Sequence, residues 1–336
     1  FGKTYCIQGL LMDLSRQGVP SIIFDYTGGF MPSKLEPLFK DALGDKIIQR
    51  IVKISKIPIN PFIRGNIVID EGISVPEGNN DVANRIKSAL NNVYRFGDQQ
   101  QSAIYQAVLD GMKTYGENMS FVHLRDILSD MDSKYADSVV NKITPFIDME
   151  PFATGENFNW DDIRSSDGNV FIFQMAGYQR EDQLLLTELL LRDMWSFAQN
   201  RGDKNKPFVV VLDEAQNLRH DAESPSGKIL TEGRKFGVSG WYATQFMGGQ
   251  LDKDEIQCLQ QAAQKLYFCP PDNGVMDTAK SIDITAQGSK DWAERLKKLK
   301  LGECVTCGSM MINNNFTKYV PRQIKVASLE ERLKNG

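Results

Sequence analysis

Brief continuous apolar runs, each closing on a polar residue, alternate along this chain with longer stretches whose apolar positions return every three or four residues. Residues 5–16 follow Lys3-Thr4 with helical spacing and are closed by Gly18. Residues 20–25 (PSIIFD) form the first run, which ends in Asp25 before the Gly28-Gly29 turn. A run this short and this apolar predicts a strand buried on both faces, as in a parallel sheet. A second segment, 46–55, leads into Pro58, Pro61 and a polar stretch.

From about 78 to 150 the texture changes. Residues 85–94, 99–115, 123–131 and 135–146 are amphipathic, with Ile104, Val108 and Met112 at helical intervals. No strand stands out there, so the stretch is expected to be an all-helical lobe inserted in an α/β domain. Alternation then resumes: a strand over 169–174, a helix over 181–200, a strand over 207–213, a helix over 226–236 and a strand over 238–244. A helix near 254–265 leads to Leu266-Tyr267-Phe268-Cys269. In the tail, 303–312 and 318–326 predict a β-hairpin around Asn313-Asn314-Asn315. Strands alternating with helices of this length imply βαβ units and a mainly parallel sheet. The expected division is 1–75 and 161–336 for the two parts of the α/β core and 76–160 for the helical lobe.

Length and composition narrow the class. With 336 residues and 41% apolar content, the chain can bury one large domain with an inserted lobe, or two domains. No apolar run approaches the roughly 18 residues of a membrane span, and nothing resembles a signal peptide. The chain opens without Met and inside a motif, which suggests part of a longer protein. Five scattered cysteines point to a reducing, cytoplasmic setting. A net charge of −4 lacks the whole-surface basic footprint of a nucleic-acid binder, so any DNA contact must come from local loops or a pore.

Candidate chemistry starts at the first residues. In the pattern G-x-x-x-x-G-K-[ST], backbone amides cradle phosphates, the Lys reaches the β- and γ-phosphates, and the hydroxyl holds Mg²⁺. Here Phe1 is followed by Gly2-Lys3-Thr4, the end of such a loop. Alone the tripeptide is weak, and an ordinary surface turn is the bland alternative. It opens a helix, however, and helix N-termini favour anions. Some 210 residues later, Asp213-Glu214 stands just past a buried apolar strand. Such an Asp suits Mg²⁺, usually through water, and such a Glu suits an attacking water. Asp25, Asp213 and Gln245 all fall at carboxyl ends of expected parallel strands, where ligands gather.

Taken in order, Asp213-Glu214-Ala215-Gln216, Glu232-Gly233-Arg234-Lys235-Phe236-Gly237 and Ala243-Thr244-Gln245 resemble the motifs of HerA/FtsK-type hexameric P-loop ATPases. Those include DNA translocases and the ATPases of type IV secretion. Ile23-Phe24-Asp25 with Gly28, Ile59-Asn60-Pro61-Phe62 and Leu301-Gly302-Glu303-Cys304 resemble further elements of that family. The likeness runs over nearly the whole chain and is weakest in the helical lobe. It implies a RecA-like core, ATP and Mg²⁺ as ligands, and a ring, expected to be hexameric, that moves along double-stranded DNA. Gly2, Lys3, Thr4 and Asp25 would bind nucleotide, Thr4 and Asp213 the metal. Glu214 would activate water, Gln245 would sense the γ-phosphate, and Arg234 would be an arginine finger, with Arg180 and Arg219 near the same face. One departure stands out: many HerA-like members carry an acid after the Gly turn, where this chain has Gly29. Within the family, the chain is most similar to the DptH-like subunits of phosphorothioate-dependent DNA restriction, which implies other defence-complex subunits as partners. An export ATPase at a membrane channel is the main alternative, and a nucleotide-gated subunit with little turnover is a third.

Other features carry less. Cys304-Val305-Thr306-Cys307 has half-zinc spacing, but residues three apart on a strand face opposite ways, and only His123 and His220 could complete a site. His220 reads as a loop histidine. Leu184, Leu185, Leu189, Leu190 and Met194 read as core, and Trp241 as a packed strand aromatic.

Overall fold

The computed structural model describes every residue except 1, 71–72, 154–157, 246–250, 313–314, 319 and 336. Helix α1 (Lys3–Arg16) leads into β1 (Ser21–Asp25), and α2 (Pro37–Leu43) into β2 (Ile47–Ile51). An antiparallel pair, β3 (Asn66–Asp70) and β4 (Ile73–Pro76), precedes four helices: α3 (Asn79–Tyr94), α4 (Asp98–Tyr115), α5 (Phe121–Ser129) and α6 (Lys134–Asp148). Short α7 (Trp160–Arg164) returns the chain to β5 (Val170–Gln174), which is followed by α8 (Arg180–Arg201), β6 (Phe208–Leu212), α9 (Pro225–Glu232) and β7 (Val238–Tyr242). Beyond lie α10 (Lys253–Gln260), β8 (Lys265–Tyr267), α11 (Val275–Ile282), α12 (Ala286–Lys297), β9 (Glu303–Cys307), β10 (Met311–Ile312), β11 (Asn315–Phe316), β12 (Arg322–Lys325) and α13 (Leu329–Asn335).

The main sheet runs β2-β5-β1-β6-β7 with every pairing parallel. Its middle strands β5, β1 and β6 are buried along nearly their whole length because both faces are covered. Successive strand residues point to opposite faces, and the two cores divide accordingly. Ile22, Phe24, Phe173, Val210 and Leu212 join the core shared with α8 and with α3–α6. Ile23, Val170, Ile172, Val209 and Val211 pack instead with Leu11 and Met12 of α1, Phe39 of α2 and Leu329 of α13. The α/β sandwich expected from the alternation is therefore present, and the helices of residues 79–148 share a continuous core with one sheet face.

Several expectations change in detail. Strands β3 and β4 pair antiparallel, an element that the hydrophobic pattern hid, because Ile67, Ile69, Ile73 and Val75 all face solvent. The helix expected over 226–236 ends at Glu232 and tightens into a 3₁₀ turn, Gly233–Phe236. Gly233 needs its missing side chain there, since a Cβ would meet the Val238 carbonyl oxygen at 2.5 Å. Strand β8 does not extend the main sheet; it joins β9 and β12 in an antiparallel sheet of order β12-β9-β8. The tail hairpin is real as β9 with β12, enclosing a smaller pair, β10 with β11. Of its expected turn, Asn313 and Asn314 lie outside the described residues, as does Phe1.

Candidate active site

Parallel pairing brings the carboxyl ends of β1, β5, β6 and β7 to one edge, and α1 begins at that edge. Gly2 caps α1 with φ 106°, a left-handed conformation that suits glycine. Lys3 and Thr4 are thereby the first two helical residues, where free amides and the helix dipole favour an anion. The Lys3 Nζ donates to the Thr244 carbonyl at 2.8 Å and lies 3.8 Å from Glu214 Oε1. Burial lowers the Lys3 pKa, while the charges of Glu214 and Asp213 work the other way.

Asp213 follows β6 directly and is buried. Its carboxyl titrates above the ordinary aspartate range because of burial first and the neighbouring Glu214 charge second. Glu214 has a left-handed backbone (φ 51°, ψ 42°), which a non-glycine residue adopts only when its surroundings hold it there. Those surroundings are visible. The Tyr26 hydroxyl donates to the Glu214 carbonyl at 3.4 Å, and the Ala215 amide donates to the Ala243 carbonyl at 2.8 Å. The carboxylate accepts from Gln245 Nε2 at 2.6 Å and from Gln216 Nε2 at 2.5 Å. Lys3, Asp213, Glu214 and Gln245 thus meet, as the sequence led one to expect.

Asp25 sits at the same edge in a different capacity. It is completely buried, and its oxygens accept from the amides of Gly28 (2.9 Å), Gly29 (3.1 Å) and Phe30 (2.7 Å) and from Gln174 Nε2 (2.7 Å). Its carboxylate folds the turn, and through that turn Asp25, expected from the sequence to bind nucleotide, shapes the edge of the site. That turn sets Gly29 beside the site. A Cβ at Gly29 would lie 3.5 Å from Asp213 Oδ2, 3.4 Å from Thr27 Oγ1 and 4.0 Å from Thr4 Cγ2. Thr4 and Asp213 therefore border one small space that a side chain at position 29 would enter. Mg²⁺ characteristically takes one or two protein oxygens and fills its octahedron with phosphate and water. Asp213 Oδ2 and the Thr27 hydroxyl give this space oxygen donors of the kind such an ion takes, while Thr4 borders it through its methyl carbon. Among the described residues no three His, Cys, Asp or Glu side chains form a cage of their own.

Arg234 is not brought to this edge. It lies in the 3₁₀ turn before the amino end of β7, exposed, its side chain without an ion pair or hydrogen bond among the described residues. Arg180, first residue of α8, is on the site's edge, bonded to Asn217 Oδ1 and close enough to Tyr26 to influence its hydroxyl. Arg219 is engaged with Asp221, Asp252 and Glu255 at 3.6–3.9 Å. His220 is more than a loop residue: fully buried, it bonds the Ala215 carbonyl through Nε2 (2.6 Å) and Ser226 Oγ through Nδ1 (2.9 Å). Tyr26, Thr27, Gln174 and Gln216 are site residues that sequence reasoning did not assign. Only Gln216, within the Asp-Glu-Ala-Gln motif, carried a local signal.

No family model matches the chain, and no curated protein matches it in sequence. Solved structures do match in fold. VirB4 of Thermoanaerobacter pseudethanolicus superposes with a TM-score of 0.65 at 14% identity, covering 99% of this chain and 88% of that one. The plasmid coupling protein TrwB, in complex with the non-hydrolysable ATP analogue ADPNP, gives 0.59 at 13% identity over 93% and 79%. TrwB with ADP and Mg²⁺ gives 0.54 at 12% identity over 94% and 86%. At such identities the likeness establishes architecture alone: the chain has a RecA-like α/β fold, as VirB4 and TrwB have.

Proposed function

We propose that this chain hydrolyses ATP with Mg²⁺ and couples the reaction to movement along double-stranded DNA, as one subunit of a ring that is hexameric. The observation that carries the reading is the meeting of Lys3, Asp213, Glu214 and Gln245 at the amino end of α1. Support comes from the shared fold with VirB4 and TrwB, the latter known with ADPNP and with ADP and Mg²⁺. When bound, Mg-ATP supplies the phosphoryl group to be transferred and the charge that polarises it. Lys3 exchanges Thr244 and Glu214 for phosphate oxygens. Thr4 and Asp213 would hold the metal, whose charge would make Asp213 easier to ionise. Glu214 accepts a proton from the attacking water, and Gln245 keeps one Glu214 oxygen aligned. Arg234, exposed and unpaired, is the candidate to reach a neighbouring subunit's nucleotide, with Arg180 the rival on the site's own edge.

Phosphate release with and without duplex DNA is the test. Lys3→Ala and Glu214→Gln should each lower turnover by about 10²–10⁴-fold while the fold persists; full turnover in both variants would refute the assignment. A second reading, an export or conjugation motor at a membrane channel, draws on the names of the VirB4 and TrwB neighbours. No helix among the described residues is long and apolar enough to cross a membrane. Stimulation by DNA favours the translocase; indifference to DNA favours export. The finer placement within phosphorothioate-dependent restriction rests on the motif series, and co-purification with the other subunits of such a complex tests it.

A further inference from the structure

Phe268 follows β8 and is half-buried, yet it belongs to none of the three apolar cores of the chain. Its ring lies against Gly2: Cδ1 and Cε1 stand 3.8 and 3.9 Å from the point a Gly2 Cβ would occupy. An aromatic side chain left out of the cores and set against the phosphate-loop glycine calls for a role at that loop. The ring's mounting is firm on both sides. Strand β8 is paired along its length with β9, and Pro270-Pro271 follow, each with its φ fixed by the ring. Gly2, having no side chain, leaves the Phe268 ring at ordinary van der Waals distance from the position its Cβ would take.

We propose that Phe268 is the platform on which the nucleotide base rests, making this site selective for nucleoside triphosphates over bare polyphosphate. The proposal rests on the phosphate-site reading given above. With phosphates held by Lys3 and the first amides of α1, the Phe268 side of Gly2 offers the neighbouring apolar surface to the base. Nucleobases of every kind present a π-face, so a single aromatic ring favours a base without prescribing which one.

Equilibrium binding of ATP and of inorganic tripolyphosphate, both with Mg²⁺, separates the alternatives. Phe268→Leu keeps apolar bulk against Gly2 but removes the ring, and should weaken ATP about tenfold, within the range of base–aromatic stacking. Tripolyphosphate should change less than about twofold, and Phe268→Trp should restore ATP binding. Parallel weakening of both ligands in Phe268→Leu would show a mere buttress for Gly2 and overturn the proposal, as would unchanged ATP binding. Should the wild-type protein bind neither ligand, the phosphate-site reading itself falls, a result distinct from either of these.

Discussion

Glu214 joins a strained backbone to a site at which two carboxylates are adjacent, and Asp213 bears the electrostatic consequence. A left-handed non-glycine residue costs about 1–3 kcal/mol and persists where the surroundings over-determine it. The raised Asp213 pKa has a defined sign. From the ordinary aspartate range up to the raised value, the folded state holds a proton that the unfolded state has lost, so stability falls as pH climbs. Thermal melts in EDTA should show Asp213→Asn relieved of that fall, and more stable than wild type at neutral pH, while its phosphate release is lost. Gly29 supplies a second expectation. Gly29→Asp meets only ordinary contacts but adds a carboxylate beside Asp213; its melting temperature should drop in EDTA and recover with Mg²⁺ more steeply than in wild type. The Asp213-Glu214 pair was legible in sequence because both carboxylates and the apolar strand before them are adjacent in the chain. Tyr26, Thr27 and Gln174 were not, because their roles exist only once β1 lies between β5 and β6.

Among the elements, α8 shows how far pattern reasoning reaches. Its expected span, 181–200, falls one residue short at each end of Arg180–Arg201. Its leucines pack between the sheet and α3, where Asn92 bonds Glu188 and Arg192 reaches Ser88. Leu190 is completely buried in that layer. Leu190→Ala should cost about 2–5 kcal/mol, read as a lower denaturant midpoint. The pair β3–β4 escaped the same reasoning because it buries neither face. Strand β8 was visible as an apolar patch, but its partner β9 lies some forty residues on, and register over that distance is not written locally.

At the scale of the whole molecule, α1 is gripped by α13. Arg332 bonds Asp13, Leu329 is buried against the α1 side of the sheet, and the Tyr5 hydroxyl accepts the Leu329 amide at 2.9 Å. Gly9 makes room: a Cβ there would lie 2.9 Å from Arg332 Nε. Alanine is favoured over glycine in a helix by about 1 kcal/mol. Gly9→Ala should therefore stabilise an Arg332→Ala background by roughly that amount and do little in wild type, a coupling that a double-mutant cycle measures.

The contact between Lys3 and Glu214 gives the proposed motor a safety catch. On the proposed roles, the cation that would take phosphate lies 3.8 Å from the carboxylate that would take a proton from water, so each holds part of the other's charge. On that proposal a nucleotide with a third phosphate would draw the lysine from Glu214 and free the glutamate in the same motion; one with two phosphates would reach the lysine less fully and leave the catch partly set. The trigger for chemistry would then be the very group that chemistry removes.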